Sequence, residues 1–168
     1  LNILLCGLPC SGKTTIGRRL SQRINSGFLD TDCLIEQLFH HKNLTCRQVF
    51  LSLGQEQFRS LEKSVIESLR LEERTVIALG GGVLETPGIF STLHTLGTII
   101  YLQVPSDILW KRIEERGIPA YLDHQNPYGS FLDLVQRRSP LYEAIADITI
   151  DTQNFCVEEV EEKISPFV

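Results

Sequence analysis

Apolar positions along the chain switch between two periods. Asn2 to Cys6, Thr75 to Leu79, Thr98 to Val104 and Asp147 to Asp151 are short, mostly apolar runs of strand length, as expected of strands buried on both faces. Phe28 and Leu29 lead into Asp30-Thr31-Asp32, a further short strand. Between these runs the spacing becomes helical. Gly12 to Ile24 carries Ile16, Leu20 and Ile24 on one side, and a helix is predicted from about Cys33 to Phe39. Thr45 with Gln48 forms a capping-box pattern opening a long helix toward Leu69, with Gly54 dividing it. ILWKRIEER begins another helix, and an acidic amphipathic one covers Val157 to Ile164.

Strands alternating with helices predict an α/β fold, a parallel sheet covered on both faces. A length of 168 residues suits one domain with a proper core. No repeat or low-complexity tract interrupts it. Arg116 to Ser130, RGIPAYLDHQNPYGS, is a long stretch of turn formers between two helices, the kind of loop that serves as a lid.

Charge narrows the partners. The net charge of −5 argues against a nucleic-acid surface, which needs clustered cations. No run approaches 18 apolar residues and no basic stretch precedes a hydrophobic one, so neither a membrane span nor a secretory signal is expected. Cys6, Cys10, Cys33, Cys46 and Cys156 are scattered, match no zinc motif and read as unpaired thiols of a reducing cytoplasm. None of His40, His41, His94 and His124 stands at metal-ligand spacing; His124 falls in the loop.

Candidate chemistry is concentrated in a few segments. GLPCSGKT, Gly7 to Thr14, has the spacing of a phosphate-binding loop, and it follows a strand and opens a helix. Backbone N–H groups from Cys10, Ser11, Gly12, Lys13, Thr14 and Thr15 would surround the β-phosphate of a nucleotide. Lys13 would bridge the β- and γ-phosphates, and the Thr14 hydroxyl would hold Mg²⁺. Asp30 and Asp32 sit where open α/β sheets bind ligands, one suited to orient Mg²⁺ through water and the other to accept a hydroxyl proton. A helix N-cap and a solvated acid are the plainer reading of the same pair. Arg59 and Glu62, one helical turn apart, are either a surface pair or a braced anion grip. Arg138 stands in a basic pair where Pro140 could bend the helix and aim it inward. Gly80-Gly81-Gly82 removes every side chain from one surface, which suits a close approach of backbone to ligand.

In order along nearly the whole chain, GLPCSGKTT, FLDTD, GQEQFRSLE, LGGGV and RRSPLYEAIADITIDT resemble shikimate kinases. The resemblance implies a three-layer P-loop kinase with a five-stranded parallel sheet of order 2-3-1-4-5. Residues 1–168 would form one domain with a lid at about 112–126. It implies transfer of the ATP γ-phosphate to the 3-hydroxyl of shikimate with Mg²⁺, by a monomeric cytoplasmic enzyme of aromatic amino-acid biosynthesis. It assigns Asp32 to the substrate hydroxyls and the 3-hydroxyl proton, and Asp30 to the vicinity of Mg²⁺. Arg59 and Arg138 are assigned to the shikimate carboxylate, Glu62 to bracing that site, and Gly81 and Gly82 to the ring.

Two departures stand out. Cys10 replaces a usual glycine, which a cysteine tolerates where φ is negative. The usual lid arginine before proline is Ile118 here, so Arg116 is expected to replace it. Lys111, Arg112 and the turn from Gln153 to Phe155 are the candidates for the adenine. Two alternatives remain at this level: another small-metabolite kinase of the same fold, and a binding module that has lost catalysis.

Overall fold

The computed structural model describes residues 2–69, 74–119, 121–153 and 156–167. Five parallel strands, β1 (Asn2–Cys6), β2 (Gly27–Asp30), β3 (Thr75–Ala78), β4 (Gly97–Gln103) and β5 (Ile148–Asp151), pair in the order β2-β3-β1-β4-β5. The expected sheet order is therefore the observed one. Helices α1 (Lys13–Arg23), α2 (Thr31–Leu38), α3 (Cys46–Glu67), α4 (Ile89–Leu96), α5 (Ser106–Arg116), α6 (Pro127–Ile145) and α7 (Val157–Ile164) connect and cover the strands.

The strand period of two sorts β1 into two cores. Ile3 and Leu5 pack with Leu20, Val76, Ile100 and Val160 on one face. Leu4 and Cys6 pack with Ile66, Leu93, Leu109 and Tyr142 on the other. Each fully buried aliphatic side chain contributes about 1.5–3 kcal/mol of transfer free energy, which fixes the register of a strand two-sided in its burial. A third cluster, Ile35, Val49, Phe58 and Val65, joins α2 to α3 beyond the sheet edge.

Local differences from the sequence reading have local causes. Helix α2 starts at Thr31 rather than Cys33, because the Asp30 side chain caps it by accepting from Asp32 N at 3.1 Å. Asp32 thus lies in a first helical turn, not on a strand end. The Thr45–Gln48 capping box is present, and Gly54 interrupts α3 at φ 76°. Helix α4 has no counterpart in the expectation; its eight residues include three Ser and Thr and no side-chain cap. Helix α5 reaches Arg116 and α6 begins at Pro127, where Asn126 accepts from Gly129 N at 3.1 Å. Both ends of the expected loop are therefore helical. Pro140 lies inside α6, which continues through it, so no break is needed to aim Arg138.

Candidate active site

The phosphate loop is held from both sides of its turn. Gly7, at φ 149°, leaves no room for a Cβ, which would stand 2.8 Å from the Leu102 carbonyl. Gly12 begins α1 in a left-handed conformation at φ 96°. Lys13 folds back over the loop, its Nζ donating to the carbonyls of Gly7 at 2.8 Å and Leu8 at 2.9 Å. Burial lowers the Lys13 pKa, while Asp32 and Asp30 pull it back up. An anion in the loop would oppose that effect of burial, so Lys13 is placed to gain from a phosphate.

Cys10 overturns one expectation. Its φ is 64°, in the left-handed region, so its tolerance does not come from an ordinary negative φ. The chain accepts backbone strain there of about 1–2 kcal/mol. Arg112 supports the turn, donating to the Cys10 carbonyl at 3.1 Å, and Arg116 Nη1 lies 4.0 Å from Cys10 Sγ. Arg116 is exposed at the end of α5, beside the phosphate loop. Ile118 is half-buried and packs on the sheet core. Of the adenine candidates, Arg112 is engaged with the loop, Lys111 is exposed, and 154–155 lie outside the described residues.

The acidic pair faces the loop. Thr14 Oγ1 donates to Asp30 Oδ2 at 2.8 Å, coupling the hydroxyl expected at Mg²⁺ to the nearer carboxylate. Asp32 is exposed in the first turn of α2, and its Oδ1 reaches the glycine run, where a Cβ on Gly80 would meet it at 2.6 Å. Withdrawal from solvent and the negative charge of Asp30 raise its carboxyl pKa; Lys13 and a hydrogen bond from Cys46 oppose them. A carboxyl raised in this way is a better proton acceptor than an ordinary one once ionised.

Across the cleft, two arginines approach from different elements. Arg59 on α3 pairs with Glu62 through Nη1 and reaches Glu85 Oε2 at 3.4 Å through Nη2. Arg138 on α6 donates to the same Glu85 oxygen at 2.9 Å, and Arg137 Nε donates to the other at 2.6 Å. The glycine run makes room for these side chains. A Cβ on Gly82 would lie 2.7 Å from the Arg59 guanidinium carbon, and one on Gly81 3.3 Å from Arg138 Nη1. Tyr142, stacked on Tyr101 at 5.3 Å, donates to the Gly81 carbonyl and fixes that turn. The three glycines thus serve the chain's own charged groups, a reason the sequence reading did not supply.

A cavity of about 520 Å³ joins Lys13, Thr14, Asp30 and Asp32 to Arg59, Gly81, Gly82 and Arg138. Sequence reasoning missed Glu85 and Arg137 on its wall. Ser11 is buried beneath the loop, and Thr15 is exposed at the start of α1. His40, His94 and His124 are exposed, and none lines this cavity. Among the described residues no three His, Cys, Asp or Glu cluster as a metal site.

Known proteins resemble this chain in sequence and in fold. The family model described as shikimate kinase matches residues 9–168. A shikimate kinase of Thermoanaerobacter pseudethanolicus is 35% identical over 164 residues, 97% of this chain and 93% of the relative. A crystal structure described as shikimate kinase from Acinetobacter baumannii in complex with shikimate superimposes with a TM-score of 0.87 at 31% identity, covering 99% of this chain and 91% of that one. Shikimate kinase from Aquifex aeolicus gives a TM-score of 0.76 at 28% identity, covering 99% and 95%.

Proposed function

The chain belongs to the shikimate kinase family, and on that premise we propose how its cleft transfers the ATP γ-phosphate to the 3-hydroxyl of shikimate. The observation that carries this reading is the one cavity linking a phosphate loop, an acid with a raised pKa and two converging guanidiniums. A small polyhydroxy acid needs all three: cations for its carboxylate, a carboxylate for its hydroxyls and donors for the phosphate.

Amides of Cys10 to Thr15 hold the β-phosphate at the positive end of α1. Arg59 and Arg138 hold the shikimate carboxylate, and Glu62 fixes Arg59 from behind. Gly81 and Gly82 leave space beside the ring. Asp32 orients the hydroxyls and accepts the 3-hydroxyl proton as that oxygen attacks the γ-phosphorus. The bond to the β,γ-bridging oxygen breaks and ADP leaves with the electron pair. Lys13 and Arg116 stand over the charge that develops, the main contribution a protein makes to this reaction.

The Thr14 hydroxyl and Asp30, both hard oxygen donors, would hold Mg²⁺, Asp30 through water, and the ion bound with the nucleotide would neutralise phosphate charge. The expected lid of 112–126 begins too early, because α5 runs to Arg116 with Ile113 in the core; closure of the segment between α5 and α6 would exclude water from the transfer. Among the described residues no helix is long and apolar enough to cross a membrane. A monomer acting in the cytoplasm completes the proposal.

The test is ADP release with ATP and Mg²⁺, with and without shikimate, paired with Asp32→Ala. Shikimate-dependent turnover that is lost in the variant is the expected result. Saturable shikimate binding without turnover would overturn catalysis and leave a binding module.

A further inference from the structure

Glu85 has no role in the transfer just described, yet it is the best-connected acid on the cleft wall. One of its oxygens is shared by Arg59 at 3.4 Å and Arg138 at 2.9 Å, and the other accepts from Arg137 at 2.6 Å. Its backbone is tied to the glycine run, Glu85 N donating to the Gly82 carbonyl at 3.0 Å. Burial disfavours its ionised form, but hydrogen bonds from Arg138 and Arg137 prevail and hold its pKa below the usual carboxylate range. Glu85 is therefore ionised at neutral pH.

The charges of this cluster can be counted. Arg59, Arg137 and Arg138 bring three positive charges; Glu85 brings one negative charge, and Glu62, whose pKa burial raises against the pull of Arg59, brings a second when ionised. One positive charge is then left over. Arg59, Arg138 and Glu85 have side chains only 12–14% exposed, whereas Arg137 is 59% exposed and more strongly screened. The surplus is matched by one carboxylate. A dianion would leave a buried excess negative charge, which a low-dielectric wall penalises.

We propose that Glu85 is a specificity-determining residue: by neutralising one guanidinium it tunes the arginine pair to a monoanionic carboxylate and against dianions such as sulfate, phosphate or phosphorylated acids. The inference rests on the reading that Arg59 and Arg138 receive the substrate carboxylate. Glu85 does not touch the reacting atoms; it acts through the arginines it holds.

The experiment measures shikimate binding with ADP saturating the phosphate loop, and the displacement of shikimate by sulfate, in the wild type, Glu85→Gln and Arg137→Gln. Glu85→Gln keeps the shape and removes the charge. The ratio of sulfate to shikimate affinity rises about tenfold, the order expected of one unit charge acting over roughly 7 Å at an intermediate dielectric. Arg137→Gln moves the ratio the other way by a smaller factor, because its charge is more exposed. A purely structural role would weaken both anions together and leave the ratio where it was. An unchanged ratio in Glu85→Gln overturns the proposal. If Glu85→Gln does not fold, as read by thermal melting, Arg137→Gln decides alone: no shift toward shikimate overturns the proposal. A wild type that binds no shikimate instead overturns the functional reading beneath it.

Discussion

Substituting Cys10 probes the phosphate loop at its most strained residue. With φ at 64°, Cys10 occupies a conformation in which an L side chain crowds its own carbonyl. The penalty is about 1–2 kcal/mol, and cysteine lacks the local hydrogen bonding that eases asparagine into this region. Cys10→Gly removes the penalty but gives the unfolded chain more freedom, which returns about 0.4–1 kcal/mol. The net gain is on the order of 0.5 kcal/mol. Cys10→Val adds a β-branch to the same dihedral and loses a further ~1–2 kcal/mol. The gap between the two variants is therefore about 2 kcal/mol, or roughly 4–8 °C in Tm for a chain of this size.

Urea denaturation of Cys10→Gly, Cys10→Ala and Cys10→Val measures this directly. The alanine variant accounts for the lost sulfur contact with Arg116. At a half-buried loop position with ordinary negative φ the order would reverse, because valine is both less flexible and more apolar than glycine. A Cys10→Val protein as stable as Cys10→Gly would refute the left-handed assignment. ADP affinity provides a second readout, since a loop that relaxes out of this dihedral turns its amides away from the phosphate. The valine variant is expected to bind ADP more weakly than the glycine one.

Three further outcomes are expected. Arg116→Ala lowers kcat by about 10²–10³-fold with little change in the KM for shikimate, because the residue is exposed and acts on developing phosphate charge; unchanged turnover rules it out as the lid arginine's replacement. Gly82→Ala drives a methyl into the Arg59 guanidinium and raises the KM for shikimate by about tenfold or more, whereas Gly81→Ala, with its nearest neighbour 3.3 Å away, has the smaller effect; equal KM values would contradict that geometry. Asp32→Asn abolishes turnover yet is more stable than the wild type at neutral pH. The raised pKa means that the folded state binds the proton more tightly than the unfolded one. Wild-type stability thus falls as pH rises from the ordinary carboxylate range through the raised value, and asparagine removes that loss. Parallel pH–stability curves for the two proteins would show that the carboxyl is not perturbed.

The parts of the fold legible in sequence are those governed by contacts near in sequence or by burial on both faces. β1, β3 and β4 read as apolar runs because parallel strands have no solvated face, and the Thr45 box marked α3 because a cap is a three-residue interaction. Helix α4 was not legible, since eight residues rich in Ser and Thr carry neither cap nor strong period. Within the site, Lys13, Thr14 and Asp32 announce themselves through local spacing. Glu85 does not. Its partners stand 26, 52 and 53 residues away, and only the crossing of α3 and α6 over the glycine run brings them together. The dihedral of Cys10 was equally hidden, because the loop pattern specifies where glycine is usual and not what a cysteine there must adopt.

One physical arrangement recurs across the cleft. Each charged or polar group assigned to a ligand already has a partner within the chain. Lys13 is held by two loop carbonyls, Thr14 by Asp30, Arg59 by Glu62, and both arginines by Glu85. Such partners lower ground-state affinity, because part of each group's hydrogen-bonding capacity is already used, although Arg59 Nε and Arg138 Nε are buried without a hydrogen-bond partner among the described residues. They also fix rotamers before the ligand arrives, so little side-chain entropy remains to be lost on binding. The internal partners differ in kind, however. The atoms bonded to Lys13 are uncharged carbonyls, and Asp32 and Asp30 act on its ammonium only through space. The arginines face a formal charge in Glu85, so an incoming carboxylate gains only the surplus. The chain therefore keeps its least directly paired positive charge at the phosphate being transferred, where attraction grows toward the transition state. At the carboxylate, whose charge does not change during the reaction, stronger binding would deepen the ground state and the transition state alike and add nothing to kcat.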